Sequence, residues 1–172
     1  NIEIKARCAD HAPLRAVLEA HEARYVGEDH QVDTYYHVPD GRLKLREGTI
    51  ERALIRYRRP NQEGPKQSDV LLHPVAPAHS ASLNAILSAT LGVNVVVDKR
   101  RHIFFIGNVK FHLDEVAELG RFVEIEAIDR DGTMDVDTLH AQCRRYMDLL
   151  GIEEADLLSD SYSDMLLARL SE

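Results

Sequence analysis

Apolar and polar residues alternate along eight stretches of the chain, with the period of two that is typical of half-buried β-strands. At the start of the chain Ile2 and Ile4 alternate with charged residues, and further on Pro39-Asp40-Gly41 has the composition of a turn between two such stretches. The predicted strands span residues 2–8, 30–38, 42–47, 52–59, 68–75, 93–106, 109–114 and 121–128.

Apolar residues at helical spacing predict four helices between and after these strands. No repeat and no change in composition marks a second domain. We therefore predict one α+β domain over residues 1–172, with mostly antiparallel strands and with helices packed on the outside of the sheet. The predicted helices begin near Asp10, a candidate N-cap, and span 80–91, 135–150 and 161–170.

The chain has 172 residues, with 21 Lys and Arg against 29 Asp and Glu, so its formal net charge is −8. A net acidic protein is not expected to coat a nucleic acid or an anionic membrane, because both would repel most of its surface. No run of 18 apolar residues and no charged-then-apolar leader is present, so neither a membrane span nor a signal peptide is predicted. Two cysteines, Cys8 and Cys143, form no disulfide framework, which suits a reducing, cytoplasmic location.

The basic residues are concentrated in two parts of this acidic chain. Residues 42–66 carry eight basic and three acidic side chains, and residues 99–110 carry four basic and no acidic ones. Because residues two apart share one face of a strand, most of these cations fall on single strand faces. A solvated face of an antiparallel sheet is the simplest interpretation. If the sheet closes with these faces inside, the interior needs a polyanion, and arginine matches phosphate oxygens well.

Two further chemical signals are weaker. Glu124 and Glu126 share a strand face and can converge on Mg²⁺ or Mn²⁺, although a Glu-x-Glu pair occurs by chance in acidic chains. Aromatic and basic residues interleave in 56–59 and 99–105, as on RNA-binding surfaces, but strand parity places most of those cations on one inner face. The glycine-rich phosphate motifs GxxxxGK[ST] and GxGxxG are both absent, so any phosphate must be held by side chains.

Eight short motifs follow one another along the chain: Glu3-Ile4-Lys5, Gly41–Arg46, Tyr57–Pro60, Gly64–Ser68, Lys99–Arg101, Val109–Asp114, Phe122–Glu126 and Ser161–Asp164. Together they resemble the CYTH superfamily, the class IV adenylate cyclases and thiamine triphosphatases, with the class IV cyclase-like branch as the nearest match. The resemblance extends from residue 1 to about residue 167. It implies an eight-stranded antiparallel closed barrel whose interior is a tunnel for a triphosphate.

The resemblance also implies roles for individual residues. The triphosphate would be bound by Lys44, Arg46, Arg56, Lys66, Lys99, Arg101, Lys110 and Tyr162. Lys66 would lie on a mobile loop at one mouth of the tunnel, and Tyr162 near another. Glu3, Glu124 and Glu126 would hold Mg²⁺ or Mn²⁺. Lys5, Arg58 and Asp114 would be catalytic, with Lys5 as a candidate base and Asp114 as a further metal ligand or an orienting group.

The chain departs from the family pattern in two ways. Asn1 stands at the first Glu of the Glu-x-Glu-x-Lys signature, which should weaken one metal position. The chain also has no Trp to stack on thiamine, which makes thiamine triphosphate a less expected substrate. We therefore expect a metal-dependent enzyme that either converts ATP to cyclic AMP and pyrophosphate or hydrolyses tripolyphosphate or a nucleoside triphosphate. The alternative is a protein that binds a nucleotide or polyphosphate without turnover, and a homodimer is left open.

Overall fold

The computed structural model describes residues 1–58, 60–67 and 69–171, which form an antiparallel sheet of nine strands with helices packed against it. Arg59 and Ser68, which belong to two of the motifs above, lie outside the described residues. The strands are β1 (Ile2–Arg7), β2 (Arg24–Tyr36), β3 (Arg42–Glu47), β4 (Arg52–Arg58), β5 (Lys66–Gln67), β6 (Asp69–Pro74), β7 (Val93–Ile106), β8 (Val109–Val116) and β9 (Gly120–Ala127).

The strands are hydrogen-bonded in the order β5-β1-β9-β8-β7-β2-β3-β4-β6, and all neighbouring pairs are antiparallel. This confirms the predicted α+β class and the eight predicted strands, to which the two-residue β5 is added. β2 begins earlier than predicted, because a register shift between Tyr25 and Gly27 interrupts the alternation of its first residues. Within the described residues the outer strands β5 and β6 do not pair with each other, so the sheet is not closed as the barrel prediction had it.

Four α-helices and one 3₁₀ turn (Glu154–Asp156) complete the described fold. The second α-helix begins earlier than predicted, because Pro77 can occupy a first turn where no backbone N–H is needed. The N-cap of the first is His11 rather than Asp10, whose carboxylate accepts a hydrogen bond from the backbone of Ala12. None of these helices has the length and apolar character needed to cross a bilayer. The helices are α1 (Ala12–Ala20), α2 (Pro77–Leu91), α3 (Val136–Leu149) and α4 (Tyr162–Leu170).

Three helices cover the apolar outer face of the sheet. α1 and α3 pack on β1, β8 and β9, where Ile4, Phe111 and Ile125 are buried together with Leu18 and Cys143. α2 covers β2 and β3 in a separate apolar cluster. Because alternate side chains point to opposite faces, this packing leaves the charged residues of β1, β8 and β9 on the inner face.

The fourth helix differs from the prediction that all helices lie outside. Tyr162 and Leu166 of α4 pack in one cluster with Val97 and Val116. These valines lie on the inner face, since Val116 is directly opposite Lys99 and Val97 is two residues from it. α4 therefore closes one end of the sheet interior instead of covering its outside.

A tight turn between β3 and β4 is built around the carboxylate of Asp29. This fully buried carboxylate accepts hydrogen bonds from the backbone N–H of Ile50 (2.9 Å) and Glu51 (3.0 Å) and from the Thr49 hydroxyl (3.0 Å). Gly48 leaves the necessary space, because a Cβ atom there would lie 2.4 Å from the carbonyl oxygen of Glu51 and 2.7 Å from the Asp29 carboxylate. The turn fixes Glu51 at the edge of the sheet interior.

We expect Gly48→Ala to lower the free energy of unfolding by about 1–3 kcal/mol, the usual cost of overpacking a site that cannot move aside. Thr49→Ser is the matched control, because it keeps the hydroxyl that donates to Asp29 and accepts from the backbone N–H of His30, and this exposed position should cost less than about 0.5 kcal/mol. Urea unfolding of both variants measures the difference. Equal destabilisation by the two variants would show that the close approach at Gly48 is not a constraint.

Candidate active site

The inner face of the sheet surrounds a cavity of about 520 Å³. Residues from most of the strands and from the start of α4 line this cavity. Six of the predicted basic residues are brought together there: Lys5, Lys44, Arg46, Lys99, Arg101 and Lys110. Tyr162 and the three predicted metal ligands, Glu3, Glu124 and Glu126, line the same cavity.

One buried carboxylate, that of Asp33 on β2, organises half of these cations. It accepts two hydrogen bonds from the guanidinium of Arg46 (3.0 and 2.8 Å) and one from the ammonium of Lys99 (2.9 Å). The ammonium of Lys44 lies 3.0 Å from the same carboxylate. Three basic side chains thus face one carboxylate in a buried cluster, and the excess is positive.

The pKa values of this cluster reflect that excess. Burial alone would raise the pKa of Asp33, but Arg46, Lys44 and Lys99 together hold it well below its usual range. Burial lowers the pKa of Lys99 to about 7, and the nearby Arg46 and Arg101 contribute in the same direction against the opposing effect of Asp33. An anion beside Lys99 would restore its positive charge.

A second cluster is centred on Arg101. Its guanidinium donates two hydrogen bonds to Asp114 (2.7 and 2.8 Å) and one to Glu124 (3.3 Å). Asp114 also accepts a hydrogen bond from the Tyr162 hydroxyl (2.7 Å) and does not itself line the cavity. Asp114 is therefore placed to hold Arg101 and Tyr162 in position.

Lys5 lies between this second cluster and the aromatic ring at the closed end. Its ammonium is 3.9 Å from Glu124 and 3.9 Å from the centre of the Tyr162 ring. Burial lowers the pKa of Lys5 in spite of the opposing effects of Glu124 and Asp114. A buried lysine with a lowered pKa can exchange a proton near neutral pH more readily than a solvated one.

Sequence reasoning missed two acidic residues, Glu51, which lines the cavity, and Asp33, which lies behind the cations that line it. Glu51 forms ion pairs with Lys110 and Arg46, which hold its pKa below the usual range although burial alone would raise it. Alternation along β2 places Asp33 on the same face as Gln31 and Tyr35. A single carboxylate within the otherwise uncharged predicted strand 30–38 was the sequence feature that could have identified it. Glu51 lies in a turn, where alternation gives no direction.

At the other end of the cavity, two carboxylates face each other. Glu3 on β1 is directly opposite Glu126 on β9, and Glu126 accepts a hydrogen bond from the side-chain amide of Asn1 (3.2 Å). Like charges in directly opposite positions destabilise a sheet unless a cation lies between them. Among the described residues Glu126 forms no ion pair, so its carboxylate is available. This pair of hard oxygen donors fits Mg²⁺ or Mn²⁺.

Glu124 differs from these two glutamates, because Lys5 and Arg101 already contact its Oε1 atom. Ligand atoms of Glu124, His112 and Asp114 lie within 4.8 Å of one another, which makes a second arrangement that could hold a metal. Burial and the neighbouring Arg101 lower the pKa of His112 to about 4, so its ring is neutral at pH 7.

The structure corrects the predicted direction of Arg56 and Arg58. On β4 the alternating residues Ala53, Ile55 and Tyr57 line the cavity, with Arg52 beside them at the start of the strand, whereas Arg56 and Arg58 lie on the opposite face. Both guanidinium groups lie near the exposed carboxylate of Asp40, at 3.4 and 3.5 Å. Alternation shows that the two faces differ but not which of them points inward.

Lys66 is also placed differently from the prediction. Its side chain is fully buried and does not line the cavity. Its ammonium donates hydrogen bonds to the backbone carbonyls of Gln62 (3.0 Å), Leu158 (3.3 Å) and Ser159 (2.8 Å). Lys66 therefore ties its loop to the segment before α4.

We expect Asp33→Asn to lower the free energy of unfolding by about 3–5 kcal/mol, because it leaves buried cations without their carboxylate. Added tripolyphosphate should recover part of this loss by binding the folded state. Asp98→Asn is the control, since the exposed Asp98–His30 pair should contribute less than about 1 kcal/mol. Thermal unfolding of both variants, with and without tripolyphosphate, tests this. An Asp33→Asn protein as stable as Asp98→Asn would contradict the assigned role.

The chain is similar to known proteins in sequence and in fold. The family model described as the CYTH domain matches residues 1–162. None of the curated proteins matches the chain. Among solved structures, the PH1012 protein of Pyrococcus horikoshii OT3 is similar over 95% of this chain and 97% of its own, with 24% identity and a TM-score of 0.79.

Two other solved structures carry a description of activity. A candidate adenylate cyclase from Vibrio parahaemolyticus has 22% identity and a TM-score of 0.73, covering 95% of each chain. A candidate adenylyl cyclase from Hippeastrum, described as having a dominant triphosphatase activity, has 14% identity and a TM-score of 0.63, covering 99% of this chain and 96% of its own. At such identities these likenesses show the fold, whereas the family model matches nearly the whole sequence. This chain belongs to the CYTH domain family.

Proposed function

We propose that this protein is a divalent-metal-dependent enzyme that acts on a triphosphate bound in the cavity. The observation that carries the proposal is the cluster around Asp33, where Lys44, Arg46 and Lys99 share a single carboxylate and leave an excess of buried positive charge. Such a cluster favours a polyanion, which the ammonium groups of Lys44 and Lys99 can contact through the N–H donors that Asp33 does not use. The facing carboxylates of Glu3 and Glu126 supply the metal position expected beside a phosphate chain.

The residues of the cavity divide the work. Lys44, Arg46, Lys99 and Lys110 bind phosphate oxygens, and Arg101 contacts the phosphoryl group that is transferred, where its charge stabilises the developing negative charge. Glu3 and Glu126 would hold Mg²⁺ or Mn²⁺, which when bound would neutralise phosphate oxygens and lower the pKa of a coordinated water.

The residues for proton transfer and for positioning lie at the end of the cavity that contains Lys5. Lys5 accepts a proton at its amine from the attacking group, as its lowered pKa allows. Asp114 is a positioning residue, because it contacts Arg101 and Tyr162 rather than the cavity.

Two reactions fit this arrangement. Attack by water on the terminal phosphorus releases orthophosphate, and the description of the Hippeastrum protein supports hydrolysis as the first candidate. Attack by a ribose 3′-oxygen on the α-phosphorus of ATP forms cyclic AMP and pyrophosphate. An apolar wall of Ile55, Val70, Leu72 and Pro74 beside the cations suits the base of a nucleotide and keeps cyclisation as the second candidate.

The deciding experiment is a substrate panel of ATP, GTP, tripolyphosphate and thiamine triphosphate, each with Mg²⁺ and with Mn²⁺. Chromatography of the products separates orthophosphate from cyclic AMP and pyrophosphate. Tight binding of a triphosphate in calorimetry, with no product after hours, would show that the protein binds triphosphates without turning them over. No binding of any member of the panel would refute the proposal.

Triphosphate binding should take up a proton at Lys99. At pH 8 the free Lys99, with its pKa lowered to about 7, is mostly neutral, and a bound anion favours its charged form. Affinity for tripolyphosphate should therefore fall as the pH rises from 7 to 9, by at most about tenfold per unit for one proton. Calorimetry in two buffers of different ionisation enthalpy counts the protons. Lys99→Arg keeps the positive charge at all these pH values, so its complex should take up fewer protons. The protons bound by tripolyphosphate itself are the same for both proteins and cancel in the comparison. Equal proton counts for the two proteins would contradict the assignment to Lys99.

Glu3→Gln and Glu126→Gln should each reduce metal-dependent turnover by at least about tenfold, because each removes a charged ligand. The loss should be partly recovered at high metal concentration. Glu115→Gln, an exposed position on β8, is the matched control and should behave like the unmutated protein. Initial rates across a Mn²⁺ titration measure this, and unchanged metal dependence in both cavity variants would remove Glu3 and Glu126 from the metal site.

A further inference from the structure

His112 is a buried side chain that the proposed function has not used. It lies on the inner face of β8, directly opposite Glu124 of β9, and lines the cavity while only 4% exposed. Among the described residues, neither of its ring nitrogens has a hydrogen-bond partner. Unsatisfied buried nitrogen atoms are rare, and a bound ion is one of the partners that can satisfy them.

The atom nearest to this ring is an oxygen of Glu124. The distance from His112 Nδ1 to Glu124 Oε2 is 3.5 Å, whereas Arg101 and Lys5 contact the other oxygen, Oε1. Two ligands that each lie about 2.1 Å from one ion are roughly 3.0–3.5 Å apart at angles between about 90° and 110°. The His112–Glu124 pair has that spacing.

We propose that His112 Nδ1 and Glu124 Oε2 form a mixed nitrogen and oxygen position for a divalent cation. This proposal rests on the proposed function, because phosphate oxygens and water would complete the ligand set. Asp114 is not part of this set, since Arg101 and Tyr162 already occupy its oxygens. An imidazole ligand favours the borderline ions Co²⁺ and Zn²⁺ over Mg²⁺, and Mn²⁺, although it is a hard ion, accepts imidazole more readily than Mg²⁺ does.

The charges around the pair set a condition on this binding. Arg101 and Lys5 lie within 4 Å of Glu124 and oppose the approach of a further cation. A bound triphosphate carries the negative charge that offsets them. Occupation of the His112–Glu124 position should therefore require the cation and the triphosphate together.

Pulsed electron paramagnetic resonance of Mn²⁺ with tripolyphosphate tests the proposal on the full chain. Directly bound imidazole gives a ¹⁴N coupling, and bound phosphate gives a ³¹P coupling. We expect both couplings in the unmutated protein, and the ¹⁴N coupling should become a ¹⁵N coupling when histidine is ¹⁵N-labelled. His112→Gln should lose the nitrogen coupling, while the exposed His79→Gln control should keep it. In calorimetry, His112→Gln should weaken Mn²⁺ by about tenfold and Mg²⁺ by less than about twofold.

The outcomes separate this inference from the function on which it rests. A ³¹P coupling without a nitrogen coupling in the unmutated protein would overturn the His112 position and leave the metal-dependent triphosphate site standing. A nitrogen coupling that persists in folded His112→Gln would also overturn it. The absence of both couplings would refute both proposals. The labelling result does not depend on whether His112→Gln folds.

Discussion

The buried carboxylate of Asp33 is the constraint on which the interior of this protein depends. Three cations from two different strands converge on it, and each has lost most of its contact with water. Buried charges without partners are costly, so the inner face could not carry Arg46 and Lys99 without this acid. β2 can provide it because it pairs with β3 on one side and with β7 on the other. The topology of the sheet therefore brings the acid between its cations.

Internal acids change the reason for expecting a polyanion. A purely cationic interior would need one in order to fold, but Asp33, Glu51 and Asp114 neutralise much of the charge within the chain itself. What remains is a small excess of positive charge rather than a set of cations without any partner. An interior paired in this way does not need an anion in order to fold, and its remaining positive charge favours one.

The sequence predicted the class and strands of the fold because alternation and turn residues are local signals. Alternation alone also predicted that Glu124 and Glu126 share one strand face and that Lys99 and Arg101 share another. The direction of β4 did not, because Arg56 and Ile55 lie on opposite faces that both look plausible until the neighbouring strand is known. The prediction of a closed barrel was wrong for a similar reason, since whether the outer strands β5 and β6 pair depends on long-range geometry. Asp33 and Lys66 were missed or misplaced because their partners are distant in the chain.

The arrangement of the two ends of the cavity gives a bound anion a direction. α4 closes one end, where Tyr162 and Lys5 meet beside Arg101. Glu3 and Glu126 face each other two residues away from Lys5 on β1 and from Glu124 on β9. The cations of the Asp33 cluster lie on β3 and β7, and the ammonium of Lys99 is 5.8 Å from the centre of the Tyr162 ring at the closed end. A phosphate chain that lies across the cations therefore meets carboxylates on one side and a low-pKa lysine on the other.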